Sequence, residues 1–127
     1  MLFRSEAAEH AERYYEAVRH MTGDVKRIAS NTGFTEAEIA TVKNHLFMES
    51  HELLDGVRRF DPSYEISQSW QRLIQGNHLP LDYTLIYHEL YEAELMAKGL
   101  SQNEAHILAS KQFNYQKETD KLYGGTK

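Results

Sequence analysis

Residues 85–96, with the sequence LIYHELYEAELM, decide the fold class of this chain. At about 100° per residue, the apolar side chains of this stretch fall on one face of an α-helix; they are Leu85, Ile86, Leu90, Ala93 and Met96. Asp82 is the predicted cap of this helix, and Gly99 marks its predicted end. Strand signals are weak, because runs that alternate Val, Ile or aromatic residues with polar ones stay short. The stretch therefore predicts a long helix that packs against a core.

The flanking sequence predicts further helices on both sides. Two capping boxes, Thr35-x-x-Glu38 and Ser101-x-x-Glu104, are typical of helix starts, since the hydroxyl and the carboxylate each accept a free backbone amide of the first turn. Asp61-Pro62 predicts another start, because proline is tolerated at the first helical position. The connections between these helices are short. We therefore expect an all-α fold, a single compact bundle of roughly five to seven helices.

Length and composition indicate one globular domain. The chain has 127 residues, of which 41% are hydrophobic and 26% charged. Its net charge of −5 argues against a polybasic nucleic-acid-binding module. Because cysteine is absent, disulfides, thiol nucleophiles and Cys-ligated metal sites are excluded. We assign residues 1–22 to an N-terminal polar helix or linker and residues 23–127 to the main helical domain.

The sequence shows neither a targeting signal nor a membrane span. The first residues, MLFRSEAAEH, lack the apolar run of a signal peptide. No stretch approaches the ~18 apolar residues that a spanning helix needs. We therefore expect no membrane partner, and either a cytoplasmic location or export within a longer chain.

Glu89 lies inside the apolar face of the predicted helix at residues 85–96. A carboxylate buried there without a partner costs several kcal/mol, so it has to be paired, protonated or bound to a ligand. One interpretation is purely structural, with Glu89 paired to an arginine from another helix; the candidates are Arg58, Arg59 and Arg72. The other is an active-site carboxylate, since active sites often contain such groups.

The motif His88-Glu89-x-x-Glu92 also indicates a metal site. In zinc peptidases with the motif HExxH, two histidines one helical turn apart bind zinc, and the glutamate between them is the base. Here Glu92 stands in place of the second histidine, and His88 and Glu92 at this spacing can reach one ion. The cofactor would be zinc or another divalent metal. A third ligand has to come from elsewhere; the candidates are His106, His45 and His51.

Histidines and arginines elsewhere supply groups for acid/base chemistry and phosphate binding. Imidazole is a proton shuttle near neutral pH, so His45, His88 and His106 are candidate catalytic partners of Glu89. Guanidinium groups bind phosphate oxygens in a bidentate manner. Arg59 and its neighbour Arg58 are therefore candidate substrate-binding residues.

Several short stretches together resemble a family of small C-terminal domains. The most distinctive are His88-Glu89-Leu90-x-Glu92 with Leu95-Met96, and Ala105-His106 followed by Phe113-Asn114-Tyr115. Further similar stretches are Thr32-Gly33-Phe34, residues 42–47 (VKNHLF), residues 59–62 (RFDP) and residues 69–73 (SWQRL). Such domains are appended to phage head-morphogenesis (minor head) proteins and to bacterial polymorphic toxins.

The resemblance implies an effector module, and many effectors of this class are nucleases. It implies that residues 23–127 are a helical effector-like domain delivered within a larger phage or secreted protein, with an immunity protein as a further partner. The positions that match the polar pattern of the family are His45, Arg59, His88, Glu89, Glu92 and His106.

Three functions from different classes follow. The leading hypothesis is a toxin-like nuclease acting on RNA, with Glu89 and a histidine as acid and base and Arg59 as phosphate clamp. The second is a metal-dependent hydrolase, such as a peptidase, with His88 and Glu92 as ligands. The third is a non-enzymatic phage head or interaction module in which Glu89 is merely ion-paired.

Overall fold

In a computed structural model, which describes residues 5–124, the chain forms seven α-helices, a π-helical segment and a two-stranded hairpin. The predicted all-α bundle is thereby confirmed. In chain order the elements are α1 (Glu6–His20), α2 (Asp24–Thr32), α3 (Glu36–Lys43), the π-helical segment (Asn44–Met48), β1 (His51–Leu53), β2 (Gly56–Arg58), α4 (Tyr64–Gln75), α5 (Pro80–Ala97), α6 (Gln102–Gln112) and α7 (Tyr115–Tyr123).

The two predicted capping boxes are present. Thr35 accepts the amide of Glu38 at 3.0 Å, and the Glu38 carboxylate accepts the amide of Thr35 at 2.9 Å. Ser101 and Glu104 repeat the arrangement at the start of α6. Since each box satisfies two backbone amides that have no partner within the helix, local sequence suffices to start these helices.

Two other helix starts differ from the prediction. α5 begins at Pro80, not after a cap at Asp82, and the buried Asp82 carboxylate accepts the amide of Leu79 at 2.8 Å. α4 begins at Tyr64 rather than at Pro62, because the Ser63 hydroxyl accepts the amide of Ile66 and thus provides the cap. In α4 a residue next to the predicted start provides the cap, whereas in α5 the predicted residue itself accepts the free amide from within the first turn.

A short hairpin, which the sequence analysis did not predict, lies between the π-helical segment and α4. β1 and β2 pair antiparallel, with His51 opposite Arg58 and Leu53 opposite Gly56. Leu54 and Asp55 form the turn between the strands. Strands of three residues are too short to show a period-2 pattern, which is why the alternation of residue types did not indicate them.

The core is centred on large aromatic rings from different helices. Trp70 of α4, Phe47 of the π-helical segment and Tyr15 of α1 are buried and meet edge to face, with centroid distances of 5.1 Å and 4.5 Å. Tyr15 and Val18 join the polar helix α1 to this core. The segments predicted at residues 1–22 and 23–127 both include residues that the structure does not describe, namely 1–4 and 125–127.

Among residues 5–124, no helix combines the length and the apolar character that crossing a bilayer requires.

Gly76 ends α4 in a left-handed conformation, with φ of 81°. An alanine Cβ there would lie 3.5 Å from the Asn31 side chain, an ordinary contact, so the cost is one of backbone conformation. We expect Gly76→Ala to lower the free energy of unfolding by about 1–2 kcal/mol, measured by urea denaturation.

Gly23 is the matched control for this substitution. Its φ of −116° suits any residue, and nothing lies within 4 Å of an added Cβ. Gly23→Ala should leave the denaturation midpoint unchanged or raise it. Equal losses at both glycines would contradict the backbone argument.

Candidate metal centre

Besides Asp82, helix α5 carries three further ionisable side chains into the protein interior. His88, Glu89 and Glu92 are 4%, 6% and 2% exposed, although glutamate is rarely fully buried without a partner. The helical spacing predicted that Glu89 would lie among apolar side chains, and its burial agrees with that prediction. Such a cluster is costly to bury, so its members have to satisfy one another or a ligand.

The Glu92 carboxylate lies at the centre of the cluster and meets three imidazoles. Its Oε1 lies 3.1 Å from His88 Nε2 and 2.9 Å from His106 Nδ1. Its Oε2 lies 2.7 Å from His45 Nε2. Three of the histidines singled out in the sequence therefore converge on one carboxylate.

The histidines reach Glu92 from three elements. His88 lies one turn from Glu92 on α5, and His106 comes from α6, which packs along α5. His45 belongs to the π-helical segment, whose wider turn ends with the amide of Glu49 donating to the Asn44 carbonyl at 2.8 Å. Such π-helical turns are frequent at functional sites. The cluster thus depends on tertiary packing of α5 with two other elements.

The Nδ1 atom of His88 bonds to the backbone, and this bond determines the role of its Nε2 atom. His88 Nδ1 donates to the Phe113 carbonyl at 3.0 Å, since a carbonyl oxygen only accepts. In a neutral ring, Nε2 is then a lone pair that faces Glu92 Oε1, itself an acceptor. A proton or a metal cation has to lie among these atoms. A backbone carbonyl on the far nitrogen is the usual partner of a metal-binding histidine.

The geometry of three donor atoms matches one face of a zinc tetrahedron. Glu92 Oε1 lies 3.1 Å from His88 Nε2 and 2.9 Å from His106 Nδ1. The two nitrogen atoms lie 3.3 Å apart. Zinc bonds of about 2.0–2.1 Å in a tetrahedron place ligand atoms about 3.3 Å apart. These three residues can therefore hold one ion with a fourth position open. No carboxylate or imidazole has to move far.

A second set of three groups shares Glu92. It consists of His45, Glu89 and Glu92, whose ligand atoms lie within 4.8 Å of one another. Glu89 Oε1 lies 3.6 Å from His45 Nε2, and Glu89 Oε2 lies 3.9 Å from His88 Nε2. Glu89 is thus beside both sets, while only Glu92 makes close contacts in each.

Electrostatics separates the two carboxylates of α5. Burial, and then the charge of Glu92, raise the pKa of Glu89 above its usual value. Burial acts in the same direction on Glu92, but hydrogen bonds from His106, His45 and His88 outweigh it and lower the Glu92 pKa overall. The bond to Glu92 in turn raises the pKa of His106. Glu92 is therefore the anion of the pair, and Glu89 is the group with greater proton affinity.

No protein-family model matches this chain, and neither a curated protein nor a solved structure is significantly similar to it. The resemblance to effector domains stays a prediction.

None of the three arginines considered as structural partners pairs with Glu89 among residues 5–124. Arg72 forms a bidentate pair with Asp82 at 2.8 Å. Arg58 binds Asp55 and Asp61, and Arg59 donates to the Met48 carbonyl at 3.1 Å. The neighbours of Glu89 are histidines and Glu92 instead.

Two cavities flank the cluster. The first, about 160 Å³, is lined by Glu89, Glu92 and His106 together with apolar side chains. The second, about 170 Å³, lies against His88, Glu89 and His106 and is more polar. Neither Arg58 nor Arg59, the predicted substrate-binding residues, lines either cavity. Both cavities therefore border the cluster.

His51 and Gln102 lie next to the cluster and belong to neither ligand set. His51, a candidate third ligand, belongs to neither set; its Nε2 donates to the His45 carbonyl at 2.8 Å, and its ring stacks on Phe60. Gln102, which the sequence analysis missed, places Nε2 3.4 Å from Glu92 Oε2. Nothing in the sequence marks this glutamine, because only the α5–α6 packing brings it there.

Proposed function

We propose that this protein is a zinc-dependent hydrolase, with His88, Glu92 and His106 as the metal ligands and Glu89 as the general base. The observation that carries the proposal is the orientation of His88. Its Nδ1 is occupied by the Phe113 carbonyl, so that the Nε2 lone pair points at Glu92 Oε1 and His106 Nδ1. This is the arrangement of a metal ligand with its supporting partner.

The ion belongs to the set with two imidazoles, for two reasons. Imidazole nitrogen is a favoured zinc ligand, and the spacing of the three atoms fits a tetrahedral face. This assignment also leaves Glu89 uncoordinated. Zinc would supply polarisation of the substrate and a lowered pKa of a bound water.

Glu89 is placed to take a proton from that water. Its oxygens lie 3.9 Å from His88 Nε2 and 3.6 Å from His45 Nε2, so it borders the ligand set without belonging to it. Burial and the charge of Glu92 raise the pKa of Glu89, and both act in the direction that strengthens it as a proton acceptor. His45 holds the other oxygen of Glu92 and is a positioning residue.

Zinc binding tests the proposal directly. Protein stripped with a chelator and titrated with zinc should bind one ion per chain, measured by elemental analysis after desalting. His88→Ala should weaken binding by more than about 100-fold, since a direct ligand contributes at least as much as its supporting partners. Zinc should also be required for hydrolysis of the small ester p-nitrophenyl acetate.

His20→Ala is the matched control, because His20 is exposed on α1 and, within the described part of the chain, bonds only to Glu16. It should bind zinc like the wild type. Absence of bound zinc, or equal affinity in His88→Ala, would refute the proposal. Two ions per chain would overturn the role of Glu89 as a free base, since the second set includes it.

RNA hydrolysis without a metal is the second candidate. It is favoured by the three imidazoles, His45, His88 and His106, that lie beside two carboxylates and can act as acid and base. Its predicted phosphate clamp, Arg59, is engaged with the Met48 carbonyl outside both cavities. Degradation of RNA in the presence of a chelator would favour this candidate over the zinc enzyme.

The biological setting is proposed on the resemblance alone. We propose an effector domain delivered within a phage or secreted parent protein and restrained by an immunity protein. Expression of the chain in bacteria should then slow growth, and Glu89→Gln should relieve the effect. Equal growth with both forms would favour the non-enzymatic head or interaction module.

A further inference from the structure

We infer that the substrate is an extended polypeptide that crosses the metal centre through both cavities and is cut at an internal peptide bond. This inference rests on the proposed zinc hydrolase. The two cavities share three lining residues, Ile66, Glu89 and His106. The shared residues include Glu89, the candidate base, and His106, a candidate metal ligand. A chain that occupies both cavities therefore has its middle at the reacting groups.

The first cavity suits an apolar side chain. Besides the catalytic cluster, it is lined by Tyr15, Leu46 and Phe60, and the first two are almost completely buried. Their rings and methyl groups bury apolar surface well, and the further polar residues of this lining are Asp61 and Gln102. At about 160 Å³ the cavity has room for a single large side chain rather than a folded segment.

The second cavity suits a hydrogen-bonding backbone or a polar side chain. Its lining includes Ser63, Glu65, Ser110 and Gln116, from the start of α4 and from α6 and α7. These groups offer both donors and acceptors, as the amides of an extended peptide require. The Glu65 carboxylate favours a neutral or cationic group over an anionic one.

Charge decides between polypeptide and nucleic acid. The described lining of the two cavities contains Asp61, Glu65, Glu89 and Glu92 and no lysine or arginine. A nucleic acid carries one phosphate per nucleotide and depends on cationic side chains for its affinity. A peptide backbone is neutral, so it enters such a cleft without that penalty.

The reaction is a hydrolysis and balances with water alone. The oxygen of water bonds to the scissile carbonyl carbon, and the bond from that carbon to the amide nitrogen breaks. Glu89 takes one proton from the water and passes it to the leaving nitrogen, which departs as an amine. The second proton of the water is released from the new carboxyl group and protonates that amine, so the products are a carboxylate and an ammonium group. No oxidant, reductant or second substrate is needed.

Peptides with both ends blocked test the inference. Zinc-loaded protein is incubated with a mixture of acetylated and amidated peptides of about ten residues, and the products are identified by mass spectrometry. We expect internal cuts, with an apolar residue always on the same side of the bond. Phe60→Ala should shift that preference towards larger apolar residues, because it enlarges the first cavity.

Filling the second cavity gives an independent readout. Ser110→Trp should lower kcat/KM for blocked peptides at least about tenfold relative to p-nitrophenyl acetate, since the ester does not extend into it. Lys111→Trp is the matched control, because Lys111 is exposed on the same helix and outside both linings. It should leave both activities unchanged.

The outcomes separate this inference from the function beneath it. If zinc-dependent ester hydrolysis occurs while blocked peptides stay intact, or only free peptide ends are trimmed, the inference is overturned and the hydrolase stands. Cleavage of RNA but not of peptides would also overturn it. If zinc binds and neither ester nor peptide is cut, the proposed hydrolase itself fails.

Discussion

Glu89→Gln is expected to lower kcat for zinc-dependent hydrolysis of p-nitrophenyl acetate about 10²- to 10⁴-fold, the range attributed to a positioned general base. Glutamine keeps the size and the polar character of the side chain but accepts no proton at the pH of the assay. Because Glu89 is buried and lies outside the set His88, Glu92 and His106, the amide should leave zinc affinity within a few-fold of wild type. The loss would therefore appear in kcat and not in metal content.

Glu94→Gln is the control for this variant. Glu94 lies on the same helix, is exposed and pairs with Lys98 at 3.0 Å. It should keep wild-type kcat and zinc content. If Glu89→Gln retained kcat, another group would be the base. If it lost zinc together with activity, Glu89 would be a ligand, as in the second set of three groups.

Asp82→Ala is expected to have the largest effect on stability. Asp82 is completely buried and binds Arg72 through both carboxylate oxygens at 2.8 Å while accepting the amide of Leu79. Removing it leaves a largely buried guanidinium without its counter-ion and a helix amide without its acceptor. Breaking such a pair costs about 3–5 kcal/mol. Thermal and urea denaturation should both show the loss.

Asp55→Ala is the matched control, because Asp55 also binds an arginine through both oxygens. Its partner Arg58 lies at 3.1 Å, and the Asp55 side chain is 66% exposed. Exposed pairs of this kind contribute little, since water screens them and their side chains lose entropy. Asp55→Ala should leave the denaturation midpoint unchanged. A small loss in Asp82→Ala would mean that Arg72 finds another partner.

The sequence analysis succeeded where a property depends on neighbours along the chain. The capping boxes at Thr35 and Ser101 were predicted because each is complete within four residues. The placement of Glu89 on an apolar face, and the approach of His88 to Glu92, follow from helical spacing alone. The predicted starts of α4 and α5 differ from the observed ones because Ser63 caps α4 in place of Asp61, and because Asp82 lies inside the first turn of α5 and accepts the Leu79 amide from there.

The contacts of Glu92 with residues far along the chain could not be predicted in this way. His45 and His106 were among several candidate imidazoles, and the sequence had no means of choosing between them and His51. The choice depends on contacts between residues 47 and 14 positions apart, namely His45 with Glu92 and His106 with Glu92. Arg58 and Arg59 do not line the cavities, although Phe60 and Asp61 next to them line the first one, and their role as a phosphate clamp stays a prediction.

Local spacing was thus enough to establish a helical protein with a carboxylate, Glu89, on an apolar helix face, because helix periodicity and capping involve only nearby residues. Tertiary packing decided which residues from other elements join Glu89 and Glu92. The π-helical segment turns His45 inward, α6 brings His106 and Gln102, and the Phe113 carbonyl orients His88. Those contacts form only when distant segments meet, and no pattern of nearby residues encodes them individually.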